Sequence, residues 1–247
     1  MSNLVNLDRM TEPVRKVVAP YCQRMVDLHG QNLRSIFMYG SAAADEFIPK
    51  RSNVNILVVL DRIDPPDLKK SLKLIASGRK KRVVAPLMLT TEHVRRSTDA
   101  FPIEFLEMKE NHILLYGQDI LKDLVISPDN IRLQCEQQLK GGLVRLYQSY
   151  LEAGKKKRQL RSLMASSLTG LIPTFRNLLR LKGRTPSTRK REVIQGLSDE
   201  FDLNIDIFLR ILEIKGGLKF AGDLEALFGD YLEEIEKLGI LVDRMEV

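Results

Sequence analysis

The residues with the clearest chemical potential lie between 39 and 61, in the stretch YGSAAADEFIPKRSNVNILVVLD. Gly40 and Ser41 close one apolar run. A glycine after a strand lets the backbone approach a ligand closely. Ser41 adds a hydroxyl and a backbone N–H, both suited to a phosphate oxygen, and a helix opening near Ala42 would contribute its positive end. A second apolar run opens with Asn53-Val54-Asn55. Residues i and i+2 of a strand face the same side, so the spacing predicts that Asn53 and Asn55 project together while Val54 and Ile56 point the other way. Two carboxylates so placed would make a metal site for nucleotide chemistry. Two amides offer only neutral oxygens. Lys50 and Arg51, just before the asparagines, are candidates for a phosphate contact against the default of a solvated loop.

These residues need a scaffold, and the hydrophobic pattern supplies one. Val14, Val17, Val18, Tyr21, Met25 and Leu28 recur at spacings of three and four, which predicts a helix over 13–30. SIFMYG and VNILVVL read as short interior strands, because brief β-branched runs with polar flanks suit a sheet covered on both faces. DPPDLKKSLKLIASG reads as a turn and a helix ending at Gly78. RVVAPLMLT is a third strand, and FPIEFLEMK a fourth, with Ile103 and Phe105 alternating against Glu104. After residue 126 the pattern turns helical. One stripe runs through Leu139, Leu143, Leu146, Tyr147, Tyr150 and Leu151, a second from Leu160 to Leu179, and a third from Leu224 to Leu241. A shorter helical pair is expected between 188 and 215. Pro173 falls inside the second stripe, where a kink is expected. The expected domains are 1–126 and 127–247. The fold class is an α/β (α+β) N-terminal domain with a small mixed sheet, followed by an all-α helical bundle.

Gly40-Ser41, an eleven-residue spacer containing PKRS, and Asn53-Val54-Asn55 inside a strand together resemble the signature of the nucleotidyltransferase superfamily, which includes DNA polymerase beta and the antibiotic nucleotidyltransferases. The motif covers about 25 residues, and the surrounding strands extend the likeness over the first half. The helical half resembles the bundles of kanamycin-type nucleotidyltransferases. That family carries Asp-apolar-Asp where this chain has Asn53-Val54-Asn55. The resemblance implies a nucleoside triphosphate, Mg²⁺ held at the positions of Asn53 and Asn55, and a third carboxylate on a later strand. Glu104 is the candidate for that carboxylate. It also implies a Glu/Lys pair on the first bundle helix, with Glu136 as general base and Lys140 on phosphate. Helical spacing puts that pair on one face, where a plain surface ion pair is the competing reading.

The departure from the family pattern has a physical cost. Mg²⁺ demands compact octahedral oxygen coordination and releases its waters reluctantly. Asparagine brings no charge and cannot readily bridge two metal ions. At an effective dielectric of about 20, each lost carboxylate–metal contact is worth several kcal/mol. The resemblance with this change therefore implies a degenerate nucleotidyltransferase, a pseudoenzyme, with Mg²⁺ weak or lost and a nucleotide or small anionic ligand bound between the domains. One alternative is a working enzyme that moves a nucleotide from a triphosphate to a small hydroxylated acceptor, with Glu104 on metal and Glu136 as base.

Charge distribution supports a further alternative. The chain carries a net +7. Residues 132–191 contain 15 Lys/Arg against 2 Asp/Glu, whereas 192–247 contain 5 against 14. A split of this kind suits either an anion-binding face or oppositely charged helices packed together. The runs GKKKRQLR at 154–161 and RKKR at 79–82 are basic enough for nucleic acid, so the basic helices could form a nucleic-acid or protein interaction module. They carry no interleaved aromatics, and base stacking is not advertised. His29, His93 and His112 are isolated in sequence and read as structural. Cys22 and Cys135 form no metal or redox spacing and read as buried thiols. No apolar run approaches the roughly 18–20 residues of a membrane helix. A cytoplasmic protein is the expectation, without membrane contact and with its oligomeric state open.

Overall fold

The computed structural model describes residues 4–43, 53–154, 156–218 and 220–247. The chain divides into two compact units, Met1–Ile126 and Ser127–Val247. No helix among the described residues is long and apolar enough to cross a membrane.

The first unit is built on a mixed four-stranded sheet. Helix α1 (Glu12–His29) leads into β1 (Leu33–Tyr39), then β2 (Asn55–Leu60), α2 (Pro65–Arg79) and β3 (Leu87–Thr90). Two short helices, α3 (Thr91–Arg96) and α4 (Pro102–Glu110), precede β4 (His112–Gly117). The strand order is β3-β2-β1-β4. β1 lies antiparallel to β2 and β4, and β3 runs parallel to β2. Strand residues alternate between two cores. Ile36, Met38, Ile56, Val58 and Leu60 pack with Val14, Val18, Met25 and Leu74 from α1 and α2. Phe37, Leu57 and Val59 pack with Val94, Phe105 and Met108 from α3 and α4. Burial on both faces explains why β1 and β2 read as continuous apolar runs.

One expected strand is a helix. Residues 102–110 form α4, with Pro102 at its start and Glu104 in the first turn. Ile103/Glu104/Phe105 alternates over three residues only, and the buried set Pro102, Ile103, Phe105 and Met108 follows a helical stripe. Proline suits the first turn, where its missing N–H costs nothing. The fourth strand is instead HILLYG, just beyond. It ends at Gly117, whose φ is +79° and where an added Cβ would stand 1.8 Å from the carbonyl oxygen of Arg34. Only glycine permits that approach between β4 and β1.

A buried polar cluster ties α1 to α2. His29 is 4% exposed, and its Nε2 lies 2.9 Å from Oγ of the fully buried Ser71. Ser71 donates to the carbonyl of Asp67 at 3.2 Å. Nδ1 of His29 has no hydrogen-bond partner among the described residues. Burial, aided by the nearby Lys70 charge, holds the His29 pKa below its ordinary value, and Asp67 opposes the shift.

The second unit consists of α5 (Pro128–Ala153), α6 (Lys157–Leu181), α7 (Lys190–Phe201), α8 (Ile205–Lys215) and α9 (Leu224–Asp243). α6 packs against the other four helices. It is continuous through Pro173 and buries Met164, Leu168, Ile172, Phe175 and Leu179. Phe175, Phe208 and Tyr231 meet edge to face at about 6 Å, linking α6, α8 and α9. The buried stripe of α5 differs from the expected one. It runs through Ile131, Cys135, Leu139, Gly142, Leu146 and Ala153, while Tyr147 and Leu151 are exposed. Gly142 on this face looks toward Leu171 of α6, where an added Cβ would stand at an ordinary contact distance of 3.8 Å. Cys22 and Cys135 are free and fully buried, and burial pushes both thiols up to about 12.

Candidate functional site

β1 and β2 bring the two halves of the sequence signature together. Tyr39, the last residue of β1, pairs with Asn55, the first of β2. The chain then turns sharply through Gly40–Ala42, with the amide of Ala43 donating to the carbonyl of Gly40 at 2.8 Å. Gly40 has φ +74°, and a Cβ added there would stand 3.0 Å from Nδ2 of Asn55. The Gly40 backbone and the Asn55 amide therefore share one spot at the end of the sheet. Glycine is required both by the left-handed conformation and by that close approach.

Val54 is buried in the core beneath α1 and α2, so Asn55 belongs to the opposite face, with Leu57 and Val59. Asn53 precedes the strand and is exposed. Lys50, Arg51 and the Ser41 side chain lie outside the described residues, as does any helix beyond Ala43. What is described at the first position is a single tight turn, Gly40–Ala42.

The same sheet face carries a pairing that sequence spacing does not reveal. Tyr39 pairs with His112 of β4, so Asn55, Tyr39 and His112 form one row across three strands. His112 is half-buried. Its Nδ1 lies 2.8 Å from the Met108 carbonyl, and its Nε2 lies 3.1 Å from Oδ2 of Asp119. Its ring meets Phe37 edge to face at 5.3 Å. Asp119 also accepts from the amide of Lys122 at 3.2 Å. Asp119 lies beyond the end of β4, and a spacing of seven does not put two residues on one face of a strand, so strand alternation does not mark the pair. Burial raises the pKa of Tyr39 above its ordinary value.

The donor set does not fit a Mg²⁺ site. Strands β1 to β4 read LRSIFMY, NILVVL, LMLT and HILLYG and contain no Asp or Glu. β3, the parallel neighbour of β2, places Leu87 and Leu89 beside Leu57 and Val59. Glu104, expected on a strand facing Asn53, is an exposed residue in the first turn of α4, so the register argument for it lapses. Among the described residues no group of three or more His, Cys, Asp or Glu side chains could hold a metal ion. Among the described residues, what stands at Gly40 and Asn55 is a neutral set: backbone amides and one carboxamide, able to hydrogen-bond a ligand's oxygens without supplying charge.

In the second unit, Glu136 and Lys140 do lie on one face of α5. Lys140 Nζ is 2.6 Å from Glu136 Oε1, and Arg132 Nη1 is 3.0 Å from Oε2. The Glu136 side chain is 13% exposed. Lys140 also lies 3.6 Å from Asp243, and Arg132 donates to the Val242 carbonyl at 3.1 Å, at the end of α9. Cationic side chains favour the C-terminal end of a helix, where carbonyls lack partners. Lys140 and then Arg132 hold the Glu136 carboxyl below the usual carboxylate range. Both its oxygens are engaged by cations that join α5 to α9. The basic and acidic segments also pair elsewhere in this unit, at Arg184–Glu200 and Arg191–Glu213. Residues 79–82 are exposed, and so are Lys156, Lys157, Arg158 and Arg161.

Comparison with known proteins gives a likeness of fold. No family model matches the chain, and no curated protein matches its sequence. Among solved structures, it is similar to a spectinomycin adenyltransferase from Enterococcus faecialis, crystallised with ATP and spectinomycin. The match has a TM-score of 0.53 at 11% identity and covers 91% of this chain and 97% of that one. The chain thus has a nucleotidyltransferase-type fold, a small mixed sheet followed by helices.

Proposed function

We propose that this protein uses a nucleotidyltransferase fold to bind a nucleotide or a related phosphate-bearing ligand at Gly40, Ser41 and Asn55, and that it does not carry out metal-dependent nucleotide transfer. One observation carries this reading. The glycine turn is retained at φ +74° against the Asn55 amide, while none of the four strands supplies a carboxylate. The ATP of the spectinomycin adenyltransferase structure favours a nucleotide as the ligand class. A carboxamide next to a phosphate avoids the charge repulsion that an unmetallated carboxylate would create. Binding without Mg²⁺ is then physically consistent with a double loss of aspartate. Lys50 and Arg51 belong to this proposal as phosphate contacts.

The test is calorimetric titration with ATP, CTP, GTP and UTP, with and without Mg²⁺, on the natural chain and on Asn53→Asp/Asn55→Asp. The expected result is nucleotide binding that Mg²⁺ barely affects in the natural chain and strongly promotes in the double variant. If neither protein binds any nucleotide, the proposal fails.

A second reading, transfer of an adenylyl group to a small hydroxylated acceptor, is favoured by the name of the similar enzyme. It would need Glu104 to hold a metal and Glu136 to act as base with Lys140 on phosphate. Against it stand the helical, exposed position of Glu104 and the ion pairs that occupy both Glu136 oxygens. Incubation with labelled ATP, Mg²⁺ and spectinomycin is expected to give no adenylated product. Product that disappears in Gly40→Val would establish the second reading instead. Contact with nucleic acid through the basic helices is the third, and it predicts retention on RNA or DNA that weakens steeply with salt.

A further inference from the structure

The second unit contains a groove that the nucleotidyltransferase reading leaves unused. Arg161, Ser162, Ala165, Ser166, Thr169 and Gly170 lie along one side of α6. Together with Ile214 and Lys215 at the end of α8 they line an open groove of about 670 Å³. That is within the range of small-molecule sites. Short side chains every turn keep the groove open, and three of them end in hydroxyls.

Its charge is one-sided. Lys215 Nζ donates to Thr169 Oγ1 at 2.5 Å. The charge of Lys190, the first residue of α7, acts on the same ammonium. Burial first, and the Lys190 charge second, hold the Lys215 pKa below its ordinary value. Among the described residues, Arg161, Lys190 and Lys215 form no ion pair with a carboxylate. Glu213, two residues before Lys215, is 3.8 Å from Arg191, and Glu192 is taken by Arg189 and Ser187. Two ammonium charges that act on each other repel, and an anion between them removes that repulsion.

We propose that this groove binds a small phosphorylated molecule. The phosphate sits at Lys215 and Lys190 with the hydroxyls of Thr169 and Ser166 as further donors, and Arg161 meets a second anionic group along α6. Hydroxyls, ammonium groups and a guanidinium are the donor set that phosphate oxygens take. No aromatic side chain lines the groove, so it offers a nucleic acid phosphate contacts but no stacking for bases.

Inorganic pyrophosphate is the probe, titrated calorimetrically into the full chain. The titration is made in the Gly40→Val background, so that the site in the first unit does not contribute. Lys215→Gln and Ser166→Leu are then added separately. Lys215 and Ser166 are exposed, so both substitutions leave the melting temperature in place. The expected result is saturable pyrophosphate binding, weakened at least tenfold by each substitution. The proposal is overturned if pyrophosphate does not bind, or if it binds equally well after both substitutions. It is also overturned if a ten-nucleotide single-stranded RNA binds more tightly than pyrophosphate and loses that binding in Lys215→Gln, since the groove would then be a nucleic-acid contact.

Discussion

Replacing Gly40 by alanine tests both the turn and the ligand site it is proposed to form. At φ +74°, an L-residue places its Cβ against its own backbone at a cost of about 1–2 kcal/mol. The added carbon also meets Nδ2 of Asn55 at 3.0 Å, tighter than ordinary contact, and pushes the carboxamide aside. At about 4 °C per kcal/mol for a unit of this size, the first unit should melt about 4–8 °C lower. Displacing the Asn55 amide removes about one neutral hydrogen bond to the ligand, which corresponds to an affinity loss of about five- to tenfold. Gly40→Asn separates the two effects. Asparagine tolerates the left-handed region better than alanine, so the melting temperature should recover in part while the Asn55 amide remains crowded. The assay is thermal unfolding followed by far-UV circular dichroism, paired with calorimetric ATP titration of both variants. If Gly40→Ala melts and binds like the natural chain, the turn is neither strained by a side chain nor part of a ligand site, and the reasoning is wrong.

Other perturbations probe the two units separately. His29 is buried neutral with a lowered pKa, so its contribution is complete above its ordinary value of 6.5 and is lost as pH falls below that value. Between pH 7.5 and 5.5 the natural chain should therefore lose more melting temperature than His29→Gln; equal losses would exclude the buried imidazole as the cause. Glu136→Gln removes the carboxylate that links Arg132 and Lys140 and should cost about 1–2 kcal/mol in urea unfolding. Because the Glu136 pKa is lowered, its contribution is present above the ordinary 4.5 and lost as pH falls through the folded value, so the variant and the natural chain should converge in acid. Cys22 and Cys135, one in each unit, should resist a thiol reagent in the native state and react fully in denaturant. Fast native labelling of either would contradict its burial.

Legibility of the site varied from residue to residue. Gly40 and Asn55 were visible because a glycine between apolar runs and a polar residue heading a strand are local signals. Their meeting is a consequence of the Tyr39–Asn55 register. Glu104 was misplaced because three alternating residues fit a strand and a helix equally well, and only packing of Phe105 and Met108 beneath the sheet decides between them. HILLYG is a short apolar run directly after α4, and its place as the fourth strand is decided by pairing with β1. His112 with Asp119, and His29 with Ser71, read as isolated because one partner lies past a strand end and the other on a neighbouring helix 42 residues away. Glu136 and Lys140 were legible as a pair, since four residues make one helical turn. Arg132 and Asp243, which complete their network, were not.

The sequence by itself determined the succession of most elements, because hydrophobic period, proline and glycine act within a few residues of one another. It also determined the chemical character of the signature, for no fold can turn Asn53 and Asn55 into carboxylates. Only the tertiary structure decided which strands are neighbours, which face of α5 is buried, and that Glu104 sits on a helix rather than a strand. Those outcomes depend on contacts between residues far apart in the chain, where burial and close packing outweigh local preference. The groove of α6 and α8 belongs to the same class. Its serines and threonine recur at helical spacing along α6, but Lys215 comes from a separate helix and joins them only through tertiary packing.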